Sequence, residues 1–404
     1  MLGAAVILLA CCLLSANCKM VQWRVVAWGI ALQLMVAAFV LRTNTGYHAL
    51  DSLSRGIMWI IHFSFVGSSF VFGKMGDPNG GYGILFAFQI LPIIVFVAAL
   101  FSVLYYLRIT PVLIGFGARL MFRLMRTSGA ESLEVCASIF IDQTSAPLVI
   151  KPYLPGLTQS ELLTIMTAGM AHISGSMLGA YALLGADPRH LLTAVVMTAP
   201  GSILISKMLL PETKTPTTVS GAAPSSLEER SSNLLNAIAR GTADGLQLAL
   251  TVAAMLIVFV SLIAFANGIL GVGHTSLQTF FGYVLAPVAW LLGVPWKDAM
   301  AVGSLMATKL VLNEFIAFTM LGPMKGHIDA RSFTIATYAL CGFSNFGSIG
   351  IQIGAISAVA PNRRTDLAQL GLRADSCELS LSRDCRLLFA LSYQSSRGWP
   401  FYPR

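Results

Sequence analysis

The stretch SIFIDQTSAPLVIKPYL, residues 138–154, places four consecutive polar residues in a strongly apolar chain. They are Asp142, Gln143, Thr144 and Ser145, and the flanking segments are apolar enough to lie in lipid. A polar group at membrane depth is costly unless it has a partner, so such groups tend to face a substrate or ion pathway. The alternative is local, with Asp142 and Thr144 capping a short half-helix while Gln143 closes a turn.

The composition around this stretch is that of an integral membrane protein. Of the 404 residues, 56% are hydrophobic and 11% are charged, and the mean hydropathy is +0.74. A helix needs about 20 apolar residues to cross a bilayer, and seven runs approach that length. They are residues 2–18, 25–41, 82–107, 161–184, 190–210, 248–270 and 331–360. The first lacks the basic start of a signal peptide, which favours a retained helix.

The formal net charge of +8 does not indicate nucleic-acid binding, because the basic residues cluster between the apolar runs. Placing Lys19 and Arg24 in the cytoplasm puts the N-terminus outside and leaves three further basic clusters inside, as the positive-inside rule requires. These are Arg108 with Arg119, Arg123 and Arg126, Lys207 with Lys214 and Arg230, and Arg363 with Arg364. The seven cysteines contain no CxxC pair, which argues against a disulfide framework or a metal site.

Two apolar segments, 131–150 and 298–322, are interrupted by polar residues at their middle. Irregular backbone is tolerated at membrane depth only where it is buried in protein or lines a cavity, so both are predicted to be re-entrant hairpins. The predicted topology orients them oppositely, as in an inverted-repeat transporter. Ser160 recurs as Ser332 at an offset of 172 residues. This match alone is weak evidence of an internal repeat, and the two predicted hairpins add to that evidence.

These features predict an all-α, multi-pass membrane protein with about seven transmembrane helices. Residues 51–73 and 111–126 mix charged with large apolar side chains, which is typical of interfacial helices. The expected units are 1–110 (scaffold helices and an interfacial helix), 111–210 (first repeat with its hairpin), 211–231 (polar linker), 232–297 (an interfacial and a scaffold helix), 298–373 (second repeat with its hairpin) and 374–404 (polar tail).

Polar residues also interrupt three other apolar segments. Glu314 could accept hydrogen bonds from adjacent sugar hydroxyls, whereas an ion pair with Lys309 is the structural alternative. Asn345 and Ser348 share a helical face, and an interhelical hydrogen bond is the alternative to a polar site. His172 can change charge near neutral pH, although a lone membrane histidine is more often a satisfied hydrogen-bonding group.

The same residues bear on two other classes of protein, a hydrolase and a passive channel. Asp142, His172 and Ser174 supply the residue types of a hydrolase triad. However, His172 and Ser174 are two residues apart on one predicted helix and face different directions, which argues against an enzyme. A passive channel would seldom need an amide, a carboxylate and an asparagine in two opposed hairpins.

In six segments taken in order, the chain resembles the bacterial concentrative nucleoside transporters. They are SGAESLEVCASIFIDQTSAPLVIKPYL, TQSELLTIMTAGMAHISGSMLGAY, LLTAVVMTAPGSILISKMLLPET, APVAWLLGVPW, KLVLNEFIAF and YALCGFSNFGSIGIQIG, and the likeness covers roughly residues 20–373. The resemblance implies a homotrimer in a bacterial inner membrane. Its protomers would each carry a mobile transport domain that moves like an elevator between the two sides, driven by a sodium or proton gradient. No cofactor is implied.

The resemblance also implies which residues contact the substrate. Gln143, Thr144, Ser145 and Met177 would contact the nucleobase, and Glu314, Asn345 and Ser348 the ribose. The family pattern in the first hairpin is Gly-Gln-Thr-Glu-Ala-Pro-Leu, whereas this chain reads DQTSAPL. Base recognition is therefore expected to have changed, and purine, pyrimidine and modified nucleosides such as pseudouridine stay open as substrates.

The departures extend to the coupling ion. Sodium-coupled members resembling this chain place an asparagine at the position of Ser138 and a small hydroxyl residue at that of His172, beside backbone carbonyls. The candidate ion-coupling residues are Ser138, Ile141, Asp142, His172 and Ile173. A hard cation wants oxygen ligands, so we expect coupling to protons, with sodium as the alternative. Members also carry a further apolar helix after LGLRA, but residues 374–404 contain no run long enough to span.

Overall fold

The computed structural model describes residues 8–9, 11–83, 85–218, 232–270 and 276–377. Within these ranges the regular structure is helical, as the sequence predicts. Most of the predicted polar linker and the predicted tail beyond residue 377 lie outside the described residues. So does much of the first apolar run, 2–18.

The first part of the chain forms helices α1 (Trp23–Arg42), α2 (Asn44–Phe72), α3 (Leu91–Tyr106) and α4 (Ile109–Met125). The predicted interfacial helix at 51–73 is longer than expected, because the helix begins at Asn44. The Thr43 hydroxyl accepts a hydrogen bond from the Gly46 amide at 2.9 Å and caps it. At 29 residues, α2 is long enough to span a membrane.

The first repeat contains α5 (Gly129–Ala137), α6 (Gln159–Ala171), α7 (Gly175–Leu183) and α8 (Pro188–Leu209). Two capping boxes, Ser128 with Glu131 and Thr158 with Glu161, start α5 and α6. The predicted continuous span at 161–184 is wrong, since the helix breaks at residues 172–174, where His172 and Ser174 are extended. The first hairpin turns at 138–145 and returns through a 3₁₀ segment, Ala146–Ile150.

Lys207 is not a loop cation, as the sequence suggested, but a buried residue in the last turn of α8. Its ammonium lies 2.8 Å from the Glu131 carboxylate and 3.4 Å from that of Glu212, and it donates to the Ser160 hydroxyl at 3.0 Å. A buried charge is tolerated only when it is paired. Lys207 thus joins α8 to the beginnings of α5 and α6.

Helices α9 (Leu234–Leu270) and α10 (Leu277–Leu291) follow the linker. The predicted interfacial and scaffold helices of 232–297 are not separate before residue 270, because α9 is one continuous helix of 37 residues. It packs mainly against α3, where Gly241 and Gly245 allow close approach to the α3 backbone. The Ser102 hydroxyl donates to the Ala237 carbonyl at 2.8 Å across this contact.

The second repeat contains α11 (Trp296–Val311), α12 (Glu314–Leu321), α13 (Ala330–Leu340), α14 (Phe346–Val359) and α15 (364–377). The second hairpin turns at residues 312–313, and α13 and α14 are again a broken pair. The predicted continuous run at 331–360 is therefore wrong, since residues 341–345 interrupt it. Both α6 and α13, and likewise α7 and α14, begin 171 residues apart, which gives the repeats one element order.

Among the described residues, five helices are long and apolar enough to cross a membrane, or six if the bent pair α10 and α11 counts as one span. The sequence predicted about seven. Three predicted runs are missing from this count and one helix is added to it. The runs 161–184 and 331–360 are each divided into two short helices, neither of which is long enough alone, and 2–18 lies partly outside the described residues, whereas α2 is a span that was not predicted. The interruptions of the two divided runs lie where the polar residues of the sequence were found.

Candidate functional site

The tip of the first hairpin is organised by Asp142. Its carboxylate accepts hydrogen bonds from the Thr144 amide at 2.8 Å and from the Ser145 amide and hydroxyl, both at 3.0 Å. The Thr144 hydroxyl also donates to it. These contacts match the local capping arrangement that the sequence left open as the alternative. Asp142 therefore stabilises the turn and accepts hydrogen bonds from the hydroxyls of both Thr144 and Ser145.

Gln143 extends from this turn to the second repeat. Its Nε2 donates to the hydroxyl of Ser348, 3.4 Å away in the first turn of α14. Its Oε1 is buried and has no hydrogen-bond partner among the described residues. A buried acceptor without a hydrogen-bond partner destabilises the folded protein. This oxygen is therefore a candidate to accept a hydrogen bond from a bound ligand.

Glu314 begins α12, directly after the turn of the second hairpin. Its carboxylate accepts from the Tyr181 hydroxyl at 3.1 Å and from Asn345 Nδ2 at 3.3 Å. The carboxyl group lies at the N-terminus of α12, where the helix dipole favours an ionised carboxylate. Asn345 caps α14 by accepting from the Ser348 amide at 2.9 Å. The predicted ribose-binding residues Glu314, Asn345 and Ser348 thus lie together.

Ser348 is the point at which the two groups meet. Its side chain contacts Gln143 and its backbone amide contacts Asn345. A continuous set of polar contacts therefore runs from the first hairpin, through the start of α14, to the second hairpin. Met177, also predicted, is buried on α7 one turn before Tyr181, in the apolar cluster that contains Phe315 and Phe318.

Lys309 fastens the second hairpin to the break between α13 and α14. Its ammonium donates to the carbonyls of Ala339 and Cys341 at 3.2 and 3.3 Å. The Ser344 hydroxyl donates to Asp375 of α15 at 2.7 Å in the same break. The sequence assigned Asp375 to a polar tail, but it is a buried helical residue, since residues 364–377 form one helix.

The candidate ion-coupling residues lie at the first hairpin and at the break that follows α6. The Ser138 hydroxyl donates to buried Glu134 at 2.9 Å. His172 Nδ1 lies 2.8 Å from the Ala168 carbonyl, while Nε2 is buried without a partner among the described residues. Ile173 is buried beside His172, and Ile141 is partly buried at the hairpin. The imidazole is therefore only half satisfied.

Sequence reasoning missed two polar residues of this region, Tyr181 and Gln352. Tyr181 is a fully buried hydroxyl donor to Glu314. Gln352 lies one turn after Ser348 on α14 and is 1% exposed, and its Oε1 has no hydrogen-bond partner in the part of the chain that the structure describes. The signal available in the sequence was helical spacing, because each stands four residues after a predicted site residue, Met177 or Ser348.

Comparison with known proteins identifies the chain. Three family models match it: the Na+ dependent nucleoside transporter N-terminus over residues 2–75, nucleoside recognition (Gate) over 87–188, and the Na+ dependent nucleoside transporter C-terminus over 190–377. A putative nucleoside permease of Escherichia coli, NupX, is 39% identical over 92% of this chain and 93% of its own length. The chain belongs to the nucleoside transporter family. It is accordingly a transporter and not an enzyme.

Other relatives agree with this assignment. The uncharacterized transporter YutK of Bacillus subtilis is 40% identical over 93% of this chain and 94% of its own. Solute carrier family 28 member 3 of mouse is 38% identical over 92% of this chain, which spans 55% of that longer protein. CNTnw in an inward-facing, substrate-bound state superposes with a TM-score of 0.92 at 36% identity, covering 97% of both chains. The family resemblance and the fold class predicted from the sequence are confirmed, as is a multi-pass protein of the inner membrane.

Proposed function

We propose that this protein imports nucleosides across the inner membrane by moving its two hairpins and their broken helices together, driven by a proton gradient. The observation that carries the proposal is the connected set Gln143, Ser348, Asn345 and Glu314, which brings both repeats to one place. Substrate sites of inverted-repeat transporters lie where the two repeats meet, at the ends of discontinuous helices.

The chemistry of the set fits the two ends of a nucleoside. Gln143 presents an amide, which can match the hydrogen-bonding edge of a nucleobase. Glu314 presents a carboxylate that can accept from two adjacent ribose hydroxyls, and Asn345 donates to that carboxylate and to the Phe343 carbonyl, both at 3.3 Å. In the structure Glu314 is held by Tyr181 and Asn345, which keeps the carboxylate oriented. Thr144, Ser145 and Met177 would complete the base end.

A movement of the elevator type needs a rigid mobile unit and a fixed frame. Rigidity is supported by the buried contacts of Lys207 with Glu131 and Ser160, and of Lys309 with the Ala339 carbonyl of α13. The frame would include α9, whose apolar residues are mostly exposed along its length. Such a face fits lipid or another copy of the chain, and we propose a homotrimer as the assembly. CNTnw has been solved in an inward-facing state, and variants of it in outward-facing and intermediate states.

Proton coupling is favoured by the residues at the candidate ion site. The Ser138 hydroxyl is engaged by Glu134, and His172 brings a nitrogen where a hard cation would want oxygen. A buried imidazole with one free nitrogen can accept a proton. Sodium coupling is the second candidate. It is favoured by the Na+ dependent family description and by a mouse relative named sodium/nucleoside cotransporter 1, 40% identical, of which this chain spans 58%.

The deciding experiment is uptake of labelled uridine and adenosine by proteoliposomes that contain the full chain, with sodium and proton gradients imposed separately. We expect accumulation above the external concentration under an inward proton gradient, and its loss with an uncoupler. Accumulation that requires sodium at constant pH would show that sodium, and not the proton, is the coupling ion. Equilibration without accumulation under either gradient would contradict coupled transport.

A further inference from the structure

Gln143 is not the only buried amide at the meeting point of the repeats. Gln352 stands one helical turn after Ser348, so it lies on the same face of α14 as the residue that Gln143 contacts. Its side chain is 99% buried, and its Oε1 has no hydrogen-bond partner among the described residues. The same is true of Oε1 of Gln143. Two amide oxygens are therefore buried here without donors.

Gly169 of α6 allows the two glutamines to approach each other. A Cβ built on Gly169 would stand 2.3 Å from Nε2 of Gln352 and 3.5 Å from Cβ of Gln143. Both side chains thus pack over the same glycine, where any larger residue would displace the Gln352 amide. Glycine inside a regular helix normally destabilises it, and here its missing side chain leaves the space that Gln352 occupies.

The hydroxyl groups of the hairpin tip have the same polarity as the two amide oxygens. The protons of the Thr144 and Ser145 hydroxyls are both donated to Asp142. Each hydroxyl oxygen therefore offers only lone pairs to a ligand. Gln143 Oε1 and Gln352 Oε1 add two further hydrogen-bond acceptors near the tip. These four oxygens, called the acceptor surface below, can pair only with donors on a ligand.

We propose that Gln352 is a specificity-determining residue and that, with Gln143, it selects nucleosides whose base carries an exocyclic amino group. The proposal rests on nucleoside transport as the function. An amino group brings two N–H donors and pairs with two acceptors, whereas a carbonyl oxygen at the same position of the base would face oxygens and leave them unpaired. A site built to hydrogen-bond one group rejects the analogue that lacks it, because its buried polar atoms stay unsatisfied.

Two pairs of nucleosides test this selection, because cytidine and adenosine carry an amino group where uridine and inosine carry a carbonyl. We expect the purified full chain to bind the amino member of each pair at least about tenfold more tightly, the equivalent of one or two hydrogen bonds. In Gln352→Leu the preference for the amino nucleoside over its carbonyl counterpart should fall to about threefold or less, while the affinity for uridine should stay nearly unchanged. Equilibrium competition against a labelled nucleoside measures all four affinities.

Gln33→Leu is the matched control. Gln33 is equally buried, but its amide donates to the Met197 carbonyl at 3.2 Å, between α1 and α8 and away from the hairpins. This variant should lower the yield of folded protein without changing either ratio. Gln352→Met serves if the leucine variant does not fold, since methionine keeps the length of the side chain.

A third variant tests the acceptor surface without touching Gln352. Asp142→Ala frees the Thr144 and Ser145 hydroxyls to donate, so both affinity ratios should shift in favour of uridine and inosine. If neither Gln352 variant folds, unchanged affinity ratios in Asp142→Ala would overturn the proposal. A wild-type preference for uridine or inosine, or ratios that survive in a folded Gln352 variant, would overturn it as well. Failure of the wild type to bind any of the four nucleosides would count against the proposed function itself.

Discussion

Gln143 of the first hairpin donates a hydrogen bond to Ser348 of α14, 205 positions later in the chain and 3.4 Å away. Ser348 in turn donates its amide to Asn345, which donates to Glu314 of the second hairpin. Both hairpins are therefore joined through the first turn of one broken helix. A substitution anywhere along this path should affect substrate binding before it affects folding.

Glu314→Gln should lower nucleoside affinity by roughly ten- to a hundredfold. The carboxylate is buried, and hydrogen bonds to a charged group contribute about 1.5–3 kcal/mol. An amide keeps the shape but presents one acceptor oxygen in place of two. Equilibrium binding of uridine and adenosine to purified protein measures the loss, and uptake into proteoliposomes should fall with it.

Asp298→Asn is the control for this substitution. Asp298 is likewise a buried acid in the first turn of a second-repeat helix, but it accepts from the Ser332 hydroxyl at 2.6 Å, away from the Glu314 contacts. It should lower thermal stability with little effect on affinity. Near-normal affinity in Glu314→Gln would refute the ribose-binding role.

Gly169→Ala should weaken the binding of cytidine and adenosine about tenfold or more. A methyl group at this position would stand 2.3 Å from the Gln352 amide, so Gln352 or α6 must shift. Gly354→Ala is the matched control on α14, because nothing lies within 4 Å of its built Cβ. That substitution should leave affinity unchanged and slightly raise stability, by up to about 1 kcal/mol. Equal affinities in the two variants would show that packing at Gly169 does not position the site.

Lys207→Met should destabilise the protein by about 3–5 kcal/mol, since it leaves Glu131 and Glu212 without their shared cation. Glu131→Gln should cost less, because Lys207 keeps Glu212 at 3.4 Å. Thermal denaturation in detergent, with the folded fraction measured by gel filtration, shows which of the two variants loses more stability. The reverse order would mean that Lys207 contributes little to holding α5, α6 and α8 together.

The double variant Ser138→Asn with His172→Ser tests the coupling ion. Both changes supply oxygen ligands of the kind that a hard cation prefers. We expect uptake that is insensitive to sodium in the wild type to become sodium-stimulated in the double variant. Each single variant serves as a control and should show less stimulation. Sodium stimulation already present in the wild type would instead establish the sodium alternative.

Hydropathy and polar interruptions predicted the membrane-spanning regions and the turns of the two hairpins. Hydropathy identified most of the membrane-spanning regions, and the residues DQTS and NE marked the turns of the hairpins, whereas FSNFGS left close helix packing and a helix break both open. Hydropathy did not divide 161–184 and 331–360 into two helices each, because the few polar residues at each break stand within a long apolar run. Nor could it predict that Lys207 is buried, since a cation near the end of an apolar run normally lies in a loop.

What the sequence by itself determined is the class of protein, the two interrupted hairpins and most residues at their ends. These follow from local properties, because a bilayer demands long apolar helices and penalises unpaired polar groups. Only the tertiary structure decided which polar atoms meet. Asp142 turns inward on its own loop, Tyr181 reaches Glu314, and Gln352 packs beside Gln143 over Gly169. Those contacts join residues far apart in the chain, and their directions are set by packing rather than by local composition.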